Sequence, residues 1–241
     1  MTRVFNFGAG PAMLPIEVMH KAQAEFLDYN NMGASVIEIS HRSKEFGEII
    51  DRSDALLREL ANIPSNYKIL YVHGGAQMQF SAVPLNLINR NPARKASFVL
   101  TGTWAVKASK EANRYGTALD IASSKDSNFN HIPAFDAAML DPESSYVHIV
   151  SNNTLYGTRW QSLPNTGDIP LVADMTSEFM SRKLDISQFG IIFAGLQKNL
   201  GPAGLAVVII REDLLEYAIP ETPGLLNYKT YADQHSLANT N

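Results

Sequence analysis

From residue 68 onward the sequence is dominated by short apolar runs, most of them continuous rather than alternating: 68–72, 97–100, 117–121, 146–150, 171–173, 191–194 and 206–210. A strand with one wet face alternates apolar and polar residues. A strand that lacks the polar positions must be covered on both faces, as in sheets with helices above and below. Helical stretches fit between several of these runs, most clearly 76–87 and 104–115. Strand–helix alternation predicts an α/β fold built on a mainly parallel seven-stranded sheet flanked by helices.

Ahead of the sheet region, 15–28 reads as a helix. Pro15 is in its first turn, Glu17 stands four residues ahead of Lys21, and Val18, Ala22 and Phe26 share one face. Residues 35–40 read as a short extended run. A second helix is expected over 44–60, with Phe46, Ile49, Ile50, Leu57 and Leu60 as its buried stripe, and 62–66, containing Pro64, ends it. Residues 123–144 read as loop, and the segment from Pro220 onward as irregular.

Composition narrows the function classes. Of 241 residues, 45% are hydrophobic and 18% charged, and the net charge is −4, so there is no basic footprint for nucleic acid. The sequence contains no cysteine, which removes disulfides, thiolate metal sites and cysteine nucleophiles. There is no apolar leader at the amino terminus and no run of eighteen apolar residues, so a cytoplasmic protein without a membrane span is expected. No metal site is expected either.

In open α/β sheets, ligands bind at the carboxyl ends of the strands, and four features fall there. Val72-His73-Gly74-Gly75-Ala76-Gln77 joins a strand to a helix through two glycines. This is either a tight turn or a phosphate cradle on a helix N-terminus. Thr101-Gly102-Thr103-Trp104 puts an indole at a helix start, where it fills core or stacks on a planar ligand. Asp174 ends an apolar strand and either caps the next helical turn, with Thr176 and Ser177, or works as an acid. Lys198, in Gly195-Leu196-Gln197-Lys198-Asn199-Leu200-Gly201-Pro202, is flanked by apolar residues and glycines. A surface lysine is the plain reading; a desolvated lysine has a lowered pKa and becomes the nucleophile that Schiff-base chemistry needs. Together the four offer a Schiff-base amine, an acid for a ring nitrogen, a stacking partner and a phosphate cradle, which are the protein's contributions to pyridoxal phosphate chemistry.

Longer motifs in matching order carry a resemblance. They are Asn6-Phe7-Gly8-Ala9-Gly10-Pro11-Ala12, Ile39-Ser40-His41-Arg42-Ser43-Lys44-Glu45-Phe46, the 74–80 turn, Val172-Ala173-Asp174-Met175-Thr176-Ser177 and residues 194–204. The chain resembles, over essentially its whole length, the phosphoserine aminotransferases, fold-type I pyridoxal-phosphate enzymes of the class V aminotransferase group. The resemblance implies that Lys198 forms the Schiff base and later moves the proton, that Asp174 pairs with the pyridine nitrogen, and that Trp104 and Thr154 orient the ring. It further implies that Gly75, Ala76, Gln77 and Gln197 hold the cofactor phosphate, together with Asn239 and Thr240 reaching from a neighbouring subunit, and that His41 and Arg42 take the substrate anion. The implied reaction transfers an amino group from L-glutamate to 3-phosphohydroxypyruvate in serine biosynthesis, and in some members serves pyridoxine synthesis, in a homodimer with shared active sites.

Departures from the family pattern are also legible. Gln77 stands where some members carry Arg, and Asn239-Thr240 is followed by Asn241 where the family has proline. Residues 1–15 are expected to form an N-terminal segment and 16–241 the cofactor-binding large domain, with the family's small C-terminal domain missing. The alternatives are a member that binds cofactor but is catalytically impaired, or another class V aminotransferase.

Overall fold

The computed structural model describes residues 3–239. Its centre is a seven-stranded sheet of β1 (Tyr67–His73), β2 (Lys95–Leu100), β3 (Thr117–Ser123), β4 (Ser144–Val150), β7 (Leu171–Asp174), β8 (Ile191–Gly195) and β9 (Leu205–Arg211). A separate two-stranded ladder pairs β5 (Asn152–Asn153) with β6 (Thr158–Arg159). The large sheet has the order β1-β9-β8-β7-β4-β2-β3. Only β9 runs against its neighbours, antiparallel to both β1 and β8; every other pairing is parallel.

The continuous apolar runs are explained by two cores. Along β9, Ala206, Val208 and Ile210 join one buried cluster while Val207 and Ile209 join the other. The first core is covered by α3 (Gly75–Leu87) and α4 (Thr103–Ala112), which bury Phe80, Val83, Leu87, Ala105 and Ala108 against Phe98, Val172 and Phe193. The second lies under α2 (Lys44–Ala61) and the loops after β7, where Ile50, Phe179 and Phe189 meet Ile149, Ala173 and Ile192. β3, at the edge of the large sheet, is the strand of that sheet that never fully buries a residue, which fits its more mixed sequence.

α2 begins and ends where its sequence says it should. Ser43 caps it, its hydroxyl accepting from Phe46 N at 3.2 Å, and Asn62 closes it in the left-handed conformation. Its expected stripe is thinner than predicted. Ile50 is buried and Phe46 and Leu57 are partly buried against the core, but Leu60 is 65% exposed. α1 (Ile16–Glu25) buries nothing among the described residues, and Val18 and Phe26 stand more than half exposed.

Two expectations are corrected. Residues 35–40 are turns, not an extended run. Ser35 accepts at its carbonyl from Glu38 N and Ile39 N and at its hydroxyl from Ile37 N, and the Glu38 carboxylate accepts from Ser35 N at 2.9 Å. Local side-chain acceptors thus capture the amides that a strand would need. The segment after Pro220 is ordered into a 3₁₀ turn (Gly224–Leu226) and a short helix, α5 (Tyr228–Asp233), capped by the Asn227 side chain. Tyr228 and Tyr231 are buried; Tyr228 OH donates to Gln79 Oε1 at 2.8 Å. Two aromatic anchors, too few to set a periodicity, dock this segment. No helix among the described residues is long and apolar enough to cross a membrane, and none of them form a metal-ligating cluster.

Candidate active site

Because β1, β2, β4, β7 and β8 run the same way, their carboxyl ends share one edge of the sheet. That edge holds a cleft of about 120 Å³ lined by Ala76, Gln77, Phe80, Trp104, Val150, Asn152, Thr154, Asp174, Thr176, Ser177, Gln197 and Lys198. Larger hollows lie elsewhere on the surface, but none gathers an amine, an acid and a helix N-terminus.

Lys198 sits in the turn that carries β8 into β9, half-buried, and its Nζ donates to Thr154 Oγ1 at 2.5 Å. Desolvation lowers its pKa, and the negative field of Asp174 offsets part of that shift. The N-terminal segment lies across this turn: Ala12 N donates to Gln197 O at 2.8 Å, and a Cβ on Gly10 would stand 3.0 Å from Lys198 Cγ. Gly10 and Ala12 of the early motif therefore pack on the lysine turn.

Asp174 ends β7 and is 5% exposed. Burial raises its pKa, while two hydrogen bonds from Thr176 and the field of Lys198 pull the other way. Both bonds fall on Oδ1, from Thr176 Oγ1 at 2.6 Å and Thr176 N at 3.0 Å. No donor among the described residues reaches Oδ2. A buried carboxylate with one satisfied and one vacant oxygen is suited to an N–H or N⁺–H partner presented in the cleft.

α3 opens the site to an anion. Gly74 and Gly75 have φ of +83° and +64°, no side chain caps the helix, and a Cβ on Gly74 would lie 2.8 Å from Met78 Cβ. Its first amides therefore point out of a helix start that has no side-chain acceptor of its own. Gly195, at the end of β8, lets this helix come close: a Cβ there would stand 3.2 Å from Ala76 N and 2.5 Å from Gln197 Oε1. Trp104, on α4, is partly buried against the core yet lines the cleft, with Lys107 Nζ 4.6 Å from its ring centroid. The indole thus packs on the core on one side and faces the cleft on the other. Amine, half-paired acid, aromatic wall and open helix start fit the needs of pyridoxal phosphate.

Of the expected site residues, Ala76, Gln77, Trp104, Thr154, Asp174, Gln197 and Lys198 line one cleft, and Gly75 lies in the first turn of α3 beside it. His41 and Arg42 lie in the turn ahead of α2 and are not among the lining residues; Arg42 is exposed. Asn239 is exposed and also outside the lining, and Thr240 lies outside the described residues. Residue-by-residue reasoning did not single out Phe80, Val150 or Asn152. Asn152 lies just beyond a fully buried strand, and a polar residue at a carboxyl strand end is the signal that would have found it.

The fold and the cleft define a class. The family profile described as aminotransferase class-V matches residues 4–239, and the chain belongs to that family. Within it, the sequence is 50% identical over 238 residues to a phosphoserine aminotransferase of Lysinibacillus sphaericus, covering 99% of this chain and 65% of the relative. It is 52% identical over 239 residues to a phosphoserine aminotransferase of Desulfotalea psychrophila, with the same coverages. Among solved structures, a phosphoserine aminotransferase from Bacillus circulans subsp. alkalophilus superposes with a TM-score of 0.93 at 42% identity, over 99% of this chain and 65% of that one. A phosphoserine aminotransferase from Trichomonas vaginalis, described as bound to PLP, superposes with a TM-score of 0.91 at 37% identity, over 99% and 66%. The chain thus spans about 65% of the length of the curated relatives it matches.

Proposed function

We propose that residues 16–241 form the cofactor-binding large domain of a pyridoxal-phosphate aminotransferase. Its reaction moves an amino group between L-glutamate and 3-phosphohydroxypyruvate, giving O-phospho-L-serine and 2-oxoglutarate. The observation that carries this reading is Lys198 and Asp174 facing one cleft, the amine with its pKa lowered by desolvation and the acid with one oxygen unspent. The high identity to phosphoserine aminotransferases supports the choice of substrates, and serine biosynthesis is the corresponding role, in the cytoplasm.

When bound, pyridoxal phosphate would supply an electron-accepting ring that stabilises negative charge at the substrate carbon. The chain's residues do the rest. Lys198 Nζ, its pKa lowered by desolvation, would be the amine that holds the cofactor's aldehyde carbon and the base placed beside the substrate carbon. Thr154 Oγ1 accepts from Nζ and orients it. Asp174, whose bonds from Thr176 both fall on Oδ1, would hold the ring nitrogen protonated. Trp104 gives the ring a flat wall, and the start of α3, with Gly75, Ala76 and Gln77, receives the phosphate along with Gln197. His41 and Arg42 take the substrate anion, for which an exposed guanidinium offers a planar fork. Asn239 and Thr240 would complete the phosphate site of a neighbouring subunit in a homodimer.

The test is the visible spectrum of the purified 241-residue chain with pyridoxal phosphate, first with L-glutamate added and then with 3-phosphohydroxypyruvate. A Schiff-base band lost with the first and restored by the second is the expected result. A band indifferent to glutamate would refute turnover by this chain and leave a cofactor-binding domain. Borohydride treatment that leaves Lys198 unmodified would overturn the cofactor assignment.

A further inference from the structure

The connection between the acid and the lysine strand runs through one hydroxyl. β7 and β8 are parallel in a register that pairs Val172 with Ile191 and Asp174 with Phe193. Continued by two residues, that register brings Thr176 to Gly195, and Gly195 N lies 3.2 Å from Thr176 Oγ1. The same Oγ1 lies 2.6 Å from Asp174 Oδ1. A backbone amide can only donate, so Gly195 uses a lone pair of the hydroxyl and the hydroxyl proton is committed to the carboxylate. The separation is that of a charge-assisted O–H···O⁻ bond. Thr176 N donates to the same oxygen at 3.0 Å.

We infer that Thr176 is a positioning residue for Asp174: its hydroxyl relays the Gly195 N–H onto Oδ1, holds the carboxylate ionised and leaves Oδ2 for the ligand in the cleft. This inference deepens the proposed function and rests on its cofactor reading. Two donors on one oxygen, one of them polarised by a further N–H, fix the carboxylate's rotation about its own bond and oppose the effect of burial. The relay also ties the end of β7 to the end of β8, three residues before Lys198, so the acid is anchored to the strand that leads into the lysine turn. Around Asp174, β4 contributes Val150, β8 contributes Phe193, and the turn after β8 brings Lys198, the charged group that bears on the acid. No other charged group among the described residues bears on it, and besides the hydroxyl its hydrogen-bond donor is Thr176 N.

The hydroxyl, rather than the shape of threonine, performs this role. Thr176→Ser keeps the relay, whereas Thr176→Val keeps the shape, removes the donor and strands Gly195 N. A hydrogen bond to a charged group is worth enough that its loss should weaken pyridoxal phosphate binding about tenfold or more. Because Asp174 would then protonate more readily, the acid limb of the binding-versus-pH curve should move to higher pH in Thr176→Val.

The experiment measures the dissociation constant of pyridoxal phosphate across pH for the wild type, Thr176→Ser and Thr176→Val, with the melting temperature of each cofactor-free protein as a folding control. Expected are near-wild-type values for Thr176→Ser, and for Thr176→Val weaker binding with the raised acid limb. Equal constants and equal pH limbs for Thr176→Val and wild type would overturn the inference. So would a Thr176→Ser protein as impaired as Thr176→Val, since that would assign the role to the methyl group. If Thr176→Val melts below the assay temperature, Thr176→Ala carries the same comparison. A wild type that forms no borohydride-reducible bond at Lys198 would instead take down the cofactor reading, and this inference with it.

Discussion

His148 offers a sharp test of how the sheet core is held. It lies on β4, 2% exposed, stacked 5.2 Å from Phe98 and tilted 6.0 Å from Phe193, and neither ring nitrogen has a hydrogen-bond partner among the described residues. Burial without a partner pushes its pKa from 6.5 down to about 3. The sign of the pH dependence is set by that depression. Below pH 6.5 the unfolded chain takes up a proton at this residue that the folded chain refuses until about pH 3, so stability falls as pH drops through that window. The depression corresponds to roughly 5 kcal/mol over the whole window, and to about 1.4 kcal/mol between about pH 7.5 and pH 5.5. His148→Leu removes the titration and the two orphaned nitrogens at similar volume, while losing the ring contacts. Relief of about 1–3 kcal/mol per unsatisfied group outweighs the about 0.5–1.5 kcal/mol of an aromatic pair. The variant should therefore be the more stable near neutral pH, and its advantage should grow by about 1.4 kcal/mol on going down to about pH 5.5. Urea denaturation of both proteins at the two pH values reads this directly. The carboxylates held below their usual range, Asp141, Asp185 and Asp213, are common to both proteins and cancel in the comparison. Parallel stabilities of wild type and variant across that interval would refute the reasoning.

The same geometry sets the outcome of other perturbations. Gly116→Ala would put a Cβ 2.3 Å from Arg94 O and 2.6 Å from Ile88 Cγ1, so a loss of about 1–3 kcal/mol in urea denaturation is expected. Glu178, with a side chain 1% exposed, is paired to Arg182 Nε at 2.6 Å, and Arg182 also donates to Trp160 O. Glu178→Ala should lower unfolding free energy by about 2–3 kcal/mol, less than for a fully buried pair because Arg182 retains contact with water. Pyridoxal phosphate at about a hundredfold its dissociation constant should raise the unfolding free energy of the wild type by about 2.7 kcal/mol. Lys198→Ala should lose the borohydride-fixed adduct in a mass spectrum.

Much of the strand framework was readable because burial on both faces leaves a signature that needs no partner to interpret. The run 191–194 became β8 (Ile191–Gly195) and 206–210 became β9 (Leu205–Arg211), each a residue or so longer than its apolar part. Strand ends are where backbone pairing outlasts the hydrophobic pattern. The turn at 35–39 and the helix α5 escaped for the opposite reason, since each is set by a few specific bonds or anchors rather than by a repeating pattern. The expected burial of Leu60 failed because helical periodicity tells which residues share a face, not how much of that face a neighbour covers.

At the site, the sequence by itself determined the chemical inventory: an amine framed by glycines, an acid ending an apolar strand, an indole at a helix start and a double-glycine helix entry. Those are local facts, fixed by covalent order and by where strands stop. Only the tertiary structure decided that β7 and β8 are neighbours in a register that brings Thr176 to Gly195, that the vacant oxygen of Asp174 shares a cleft with Lys198, and that His41 and Arg42 do not line it. It also buried His148 inside an otherwise apolar run with nothing among the described residues to bond. Strand order and register come from contacts between residues distant along the chain, and no spacing within a segment records which strand will lie beside it.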